Sequence, residues 1–379
     1  MLPLEGLRVI ALEQAVAAPF CSRQLADLGA DVIKIERPGE GDLARGYDGA
    51  LGGISAYFAW LNRGKRSVVL DLKAPHGLEA LGKLLEGADV FVHNLLPGAV
   101  ERLGFGWDEV RERFPRLIWV SISGYGLDGP YARKKAYDLL IQAESGVISL
   151  TGTPEDAAKV GVSVADIASG LYGHASILAA LIQRGRTGRG DRIEISMLEC
   201  LSEWMMPPIY PFVGQGRTPG RAGLRHNMIV PYGAYACRDG QVIFAVQNER
   251  EWLRFCGEVL EQPGLATETR YCSNEARLTN RSELEAEIER VFAPQSRARV
   301  IQRLEGAGIA SAAVNAVSDV VDHPQLKARD RWTQVQTPAG TIPALLPPHN
   351  LLGAPPRMGR VPALGEHTAE VLAELELIL

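Results

Sequence analysis

The chain has little cysteine and uses it singly. Cys21, Cys200, Cys237, Cys256 and Cys272 form no CxxC pair, which removes the common zinc and dithiol-redox patterns. An odd set of unpaired thiols is expected of a cytoplasmic protein. No stretch of about 18 uninterrupted apolar residues is present, so no membrane span is expected. The opening MLPLEGLRVIALEQ has no basic region ahead of an apolar core and reads as a first strand, not a signal peptide. Basic excess is also absent. The 40 Lys and Arg are outnumbered by 45 Asp and Glu, giving a formal net charge of −5, which argues against a nucleic-acid partner. The seven histidines show no HxxxH or HExxH spacing, so no metal is expected. SISGYG has a serine before glycines but no GxSxG elbow. The first turn, LEQAVAAP, lacks GxGxxG, which points away from nicotinamide and flavin cofactors.

What is present is an alternation of strands and helices. LRVIAL (7–12), DVIKIE (31–36), SVVLDL (67–72), DVFVHNL (89–95) and LIWVSISG (117–124) are strand-like, with helical stretches such as HGLEALGKLLEG between them. This predicts an α/β fold with a Rossmann-like parallel sheet in a large domain. A long helix is expected over about 165–184, then a strand at RIEISML. The Pro, Gly and Arg content of 206–224 suggests a linker. VPYGAYACRDGQVIFAV (230–246) reads as a hairpin with Asp239-Gly240 as its turn, and 248–303 reads as mostly helical. The expected organisation is therefore a large domain over 1–205, a linker over 206–224, a smaller α+β domain over 225–325, and a C-terminal segment, 326–379.

Parallel sheets bind ligands beyond the carboxyl ends of their strands. That places weight on Glu13 to Ala15, Arg37, Leu72 and Lys73, Asn94 and Leu95, and Gly124 to Gly126. Among the basic candidates Lys34, Arg37, Lys65, Arg66, Lys73, Arg102, Lys134 and Lys135, scattered surface charge is the plain alternative. Arg37, Lys73 and Arg102 stand out because each follows a strand or opens a helix, where phosphates dock. Asp166, in KVGVSVADIASGLYG, falls at or beside a helix start. It reads either as a capping aspartate or as a nucleophile kept ionised near neutral pH by the helix end. Ala168, Ser169, Gly170, Gly173 and Ala175 on that helix allow another backbone or a ligand to come close. His93 and His226 read as structural.

Taken together, PLEGLRVIALEQAVAAPFCSRQLADLGADVIKIERPGEGD, NRGKRSVVLDLK, DVFVHNLLPGAVERLG, SISGYGLDGPYARKKAYDLLIQAESG, VADIASGLYG, HPQLKARD and PALGEHTAEVL resemble the class III CoA-transferase family, the CaiB–BaiF group that contains formyl-CoA transferase. The resemblance runs through nearly the whole chain in family order. It implies that Asp166 is the catalytic nucleophile. It also implies contacts to coenzyme A, bound as a substrate, from Gln14, Ala15, Arg37, Leu72, Lys73, Asn94, Leu95, Arg102, Lys135 and Tyr137. An interlocked homodimer, with no metal or redox cofactor, is implied as well.

The formyl-CoA branch carries a run of glycines over its active site, and GAYACRDGQVIFAVQNEREW has none. GLRHNMIVPYG and VQNEREW instead look like the branch acting on short dicarboxylates such as itaconate, mesaconate, malate or succinate. Arg225 and His226 then become candidates for a distal carboxylate, with a loop salt bridge as the alternative. The competing activity on this fold is α-methylacyl-CoA racemization, which needs an acid/base pair. Racemases of the family carry His-Asp where this chain reads Tyr137-Asp138, which disfavours that activity.

Overall fold

The computed structural model describes residues 1–376, and residues 377–379 of the expected C-terminal segment lie outside the described residues. Two compact units are present. Among the described residues, one comprises 1–147, 159–210 and 325–376, the other 148–158 and 211–324.

The first unit is built on a six-stranded parallel sheet: β1 (Arg8–Leu12), β2 (Asp31–Glu36), β3 (Lys65–Val69), β4 (Val90–His93), β5 (Ile118–Ser123) and β6 (Arg192–Ser196), in the order β3-β2-β1-β4-β5-β6. Between them run α1 (Ala17–Asp27), α2 (Ala56–Asn62), α3 (Pro75–Glu86), α4 (Ala99–Arg102), α5 (Trp107–Arg113), α6 (Asp138–Glu144) and α7 (Val164–Thr187), followed after β6 by α8 (Met197–Trp204) and by α9 (Met206–Gln215), whose residues from Pro211 on belong to the second unit. Strand side chains alternate between two cores, as the period of two requires. Val9, Ala11, Val32, Val90, Val92 and Val120 pack on the side of α1 and α7. Ile10, Leu12, Ile33, Ile35, Phe91 and Trp119 pack with Leu81, Leu84 and Leu85 of α3. With both faces covered, the strands read as continuous apolar runs.

Helices α1 and α7 lie in close contact. A Cβ on Gly170 would stand 2.7 Å from the Ala17 carbonyl oxygen, and one on Gly173 would stand 3.2 Å from Cys21 Sγ. The small residues of α7 are thus a backbone-contact surface. This helix is long and apolar enough to cross a bilayer by composition alone, yet Ala165, Ala168, Gly170, Gly173 and Ile177 are buried.

The second unit contains an antiparallel sheet of β7 (Tyr232–Cys237), β8 (Gly240–Ala245) and β9 (Ala310–Ala313), with α10 (Glu249–Arg254), α11 (Asn274–Thr279), α12 (Arg281–Phe292), α13 (Arg297–Gly306) and α14 (Val317–Val321). Tyr235, Phe244, Trp252, Phe255 and Phe292 fill its core. The hairpin turn is one residue earlier than expected. Cys237 pairs with Gly240, so Arg238 and Asp239 form the turn, and Gly240 takes φ 141°. Residues 148–158, expected in the large domain, belong with this unit because Arg221 Nε donates to Thr153 O at 2.8 Å and Gly223 N to Gly152 O at 2.8 Å. Half of the expected linker, 206–215, is helical despite Pro211.

The C-terminal segment, with α15 (Pro324–Ala328), a hairpin of β10 (Trp332–Thr337) and β11 (Gly340–Leu345), and α16 (Thr368–Glu374), covers the free edge of β3. There the Val69 N–H donates to Thr368 Oγ1 at 3.0 Å and the Ser67 N–H to His367 Nδ1 at 3.2 Å. Such coverage satisfies an edge strand that would otherwise present open backbone groups.

Candidate active site

Where the strand order turns back, between β1 and β4, the chain leaves the sheet in opposite directions and a crevice opens. A cavity of about 670 Å³ occupies it. Gln14 to Ala17, Asn94 to Pro97, Ile122 to Gly124, Lys135, Tyr137, Asp138, Ser163 and Asp166 are among the lining residues, all in the first unit. Asn94 joins the two parting strands. Its Oδ1 accepts from Gln14 N at 3.0 Å and its Nδ2 donates to Gln14 O at 2.8 Å. The next residue, Ala15, has φ 63°.

Asp166 stands in the first turn of α7, and Ser163 takes the N-cap position without a side-chain hydrogen bond. The cap comes from elsewhere. Asp138, the first residue of α6, accepts from Ala165 N at 2.7 Å and from Asp166 N at 3.3 Å through Oδ1. Its Oδ2 accepts from Gln142 Nε2 at 2.7 Å, and Gln142 Oε1 accepts from Val160 N at 2.9 Å. Asp138 and Gln142 therefore tie the loop entering α7 to α6.

This arrangement corrects one expectation. The helix start does not hold Asp166 well below neutral pH. Burial first, and then the Asp138 charge, push its carboxyl up to about 7. A group so placed gains nucleophilic form as pH rises through 7. Asp138→Asn removes the neighbouring charge while keeping an acceptor for the helix N–H groups. The acid limb of the pH–rate profile is expected to move to lower pH in this variant. An unmoved limb would mean that another group sets it.

The structure brings together Gln14, Ala15, Asn94, Leu95, Lys135, Tyr137 and Asp166 in one cavity wall. Arg37, Leu72, Lys73 and Arg102 stand outside that wall. Arg37 and Lys73 do follow β2 and β3 at the same edge of the sheet. Arg37 is exposed and pairs with Glu40 at 2.6 Å. Lys73 and Arg102 are exposed and Leu72 is half-buried. In the second unit, the Arg225 guanidinium pairs with Glu285 and, at 2.7 Å, with Glu289. His226 stacks on Tyr232 at 5.1 Å and accepts from Met228 N through Nδ1. The geometry at Arg225 is that of the salt-bridge alternative.

Lys34 and Lys65, read among the scattered surface charges, are instead fully buried against Glu13. The overlooked signal was a lysine at the centre of DVIKIE, a strand covered on both faces. Of the two glycines at the end of β5, Gly126 donates its N–H to Ser123 Oγ at 3.0 Å, and Gly124 lines the cavity. His93 is buried between Phe91 and Trp119, and burial pushes its imidazole down to about 3, which fits a neutral structural ring. Asp138 and Asp42 were not singled out in the sequence for the contacts they make, because their backbone partners lie 27 or 28 residues away.

Comparison with known proteins gives this geometry a context. The model of CoA-transferase family III matches residues 4–368. A succinate–glutarate CoA-transferase of Agrobacterium fabrum is 36% identical over 99% of this chain and 96% of its own length. A succinyl-CoA:mesaconate CoA-transferase of Haloarcula hispanica is 35% identical over 98% of this chain and 96% of its own. Among solved structures, a CaiB/BaiF family protein from Brucella suis superposes with a TM-score of 0.87 at 35% identity, covering 99% of both chains. With the family model spanning nearly the whole sequence and full-length relatives sharing more than a third of its residues, the chain belongs to CoA-transferase family III and is a CoA-transferase.

Proposed function

We propose that this enzyme moves CoA from succinyl-CoA, or a similar donor, to a short dicarboxylic acid of the itaconate, mesaconate or malate class, through covalent intermediates on Asp166. The observation that carries the reading is the Asp166 carboxylate, desolvated on the wall of a crevice whose rim is the Gln14–Ala15–Asn94 turn. Support for dicarboxylic acids comes from the relatives named for succinate and glutarate and for mesaconate. An interlocked homodimer, implied by resemblance, belongs to the same proposal.

In the first step an Asp166 oxygen attacks the donor thioester carbonyl. The C–S bond breaks, CoA leaves as thiolate, and a mixed anhydride remains. The thiolate then attacks the aspartyl carbonyl, releasing the donor acid and forming an aspartyl-CoA thioester. The acceptor carboxylate attacks that thioester and expels the thiolate, and the thiolate attacks the acyl carbonyl of the new anhydride. This frees Asp166 and the new acyl-CoA. Enzyme, donor and acceptor all contribute carboxylates, so each anhydride lies between two thioesters and the overall exchange is one thioester for another.

One feature favours a second reading. A carboxyl near pH 7 beside Asp138 suits proton transfer, as an α-methylacyl-CoA racemase requires. Tyr137 at the position of the racemase histidine weighs against it. One experiment in heavy water separates the two. With succinyl-CoA plus itaconate or mesaconate, mass spectrometry is expected to find acceptor-dependent formation of a new acyl-CoA. With a 2-methylacyl-CoA alone, it is expected to find no deuterium uptake. Rapid α-deuteration without an acceptor acid would establish the racemase reading instead.

A further inference from the structure

The turn between β1 and α1 holds a conformation that its own residues do not favour. Ala15 lies in the left-handed region at φ 63°, where a Cβ is crowded against the following carbonyl. It lines the crevice between Gln14 and Val16. A carboxylate 27 residues away holds it there. Asp42 Oδ1 accepts from Ala15 N at 2.9 Å and from Ala44 N at 2.9 Å.

Asp42 is itself held on two sides. Its Oδ2 stands 2.7 Å from Lys34 Nζ, and its own N–H donates to Glu36 Oε2 at 2.9 Å. Lys34 Nζ is also 3.4 Å from Glu13 Oε1, which Lys65 Nζ approaches at 2.7 Å. Glu36 in turn binds Arg45 at 2.7 Å and accepts from the Ser67 hydroxyl at 2.6 Å. Three carboxylates, from Glu13, Glu36 and Asp42, thus meet three cations, from Lys34, Lys65 and Arg45. The carboxylates, Lys34 and Lys65 are all buried. Such a network resists rearrangement because any displaced member would be left as an unpaired buried charge. Its rigidity reaches the crevice turn through Glu13, which precedes Gln14, and at Ala15 itself through the bond from its N–H to Asp42.

We propose that Asp42 is a positioning residue for CoA binding: by holding the Ala15 N–H it keeps the Gln14–Ala17 turn in the shape that accepts CoA. This rests on the assignment of Gln14 and Ala15 to the CoA site. Without the acceptor, Ala15 relaxes to negative φ, and the peptides entering α1 turn away from the crevice.

The test must separate the lost acceptor from the broken charge pair. Lys34→Met with Asp42→Leu removes both charges together and leaves Ala15 N–H without a partner. Lys34→Met with Asp42→Asn removes the same charges but retains a carbonyl acceptor. Titration of each folded variant with CoA by calorimetry is expected to show about tenfold weaker binding for the leucine pair. The asparagine pair is expected to recover most of that loss. Adding Ala15→Gly to the leucine pair is expected to recover part of it, since glycine reaches positive φ without a Cβ penalty.

Should the leucine pair fail to fold, Ala15→Val in the otherwise native chain serves instead. A β-branched residue cannot hold φ near 63° and is expected to weaken CoA binding by a similar factor, with an unchanged circular dichroism spectrum. Native-like CoA affinity in the folded leucine pair, or in Ala15→Val, overturns the proposal. So does equal damage in the leucine and asparagine pairs. Binding is read without turnover, so a wrong acceptor acid leaves this result unaffected. A native protein that does not bind CoA at all would overturn the CoA-site assignment and this proposal with it.

Discussion

Asp166→Ala is expected to lose transfer activity by about 10⁴-fold or more in kcat, the scale seen when a covalent nucleophile is removed, with the fold and CoA affinity retained. The fold should survive because the Asp166 side chain is not what holds the helix start. Asp138 does that, through the backbone N–H groups of Ala165 and Asp166. The substitution also relieves a repulsion, since the Asp138 charge raises the Asp166 carboxyl. CoA affinity should survive because the rim formed by Gln14, Ala15 and Asn94 is held by the Gln14–Asn94 hydrogen bonds and by Asp42, without the Asp166 side chain. Steady-state rates with succinyl-CoA and an acceptor acid measure the first part, and calorimetry with CoA measures the second. Near-normal turnover would remove Asp166 from the chemistry. Lost activity together with lost CoA binding would make its role one of binding.

Much of this architecture was legible because it is local. DVIKIE forms a strand over the residues read for it, Asp31–Glu36. The apolar runs at β1, β4 and β5 follow from a sheet covered on both faces. The helix start near Asp166 was legible for the same reason, and so was the cluster of strand ends at Gln14 and Asn94. What escaped is non-local. The state of Asp166 could not be derived from a helix end alone, because the groups that decide it are the surrounding burial and a carboxylate on α6. Lys34 and Lys65 resembled surface cations until the fold placed Glu13 between them, 21 and 52 residues distant. Arg225 was a plausible ligand for a substrate carboxylate by type, but Glu285 and Glu289 on α12 already engage it. The extent of the second unit was blurred because 148–158 joins it through hydrogen bonds to residues some seventy positions later.

The covalent intermediate is the central claim, and trapping it is the most direct test. An anhydride or thioester on Asp166 is an activated acyl group, whereas a resting carboxylate is not. Hydroxylamine therefore reacts with the first and leaves the second untouched, converting the aspartyl carbonyl to a hydroxamate. In the proposed mechanism only Asp166 passes through such a state, and its half-buried place on the crevice wall need admit only a small nucleophile. Incubation with succinyl-CoA and hydroxylamine, followed by peptide mapping, is expected to place the hydroxamate on Asp166 alone, with activity lost in proportion. Samples lacking acyl-CoA should carry no modification. An unmodified Asp166 in protein that is turning over succinyl-CoA, or a hydroxamate on a different residue, would contradict the mechanism.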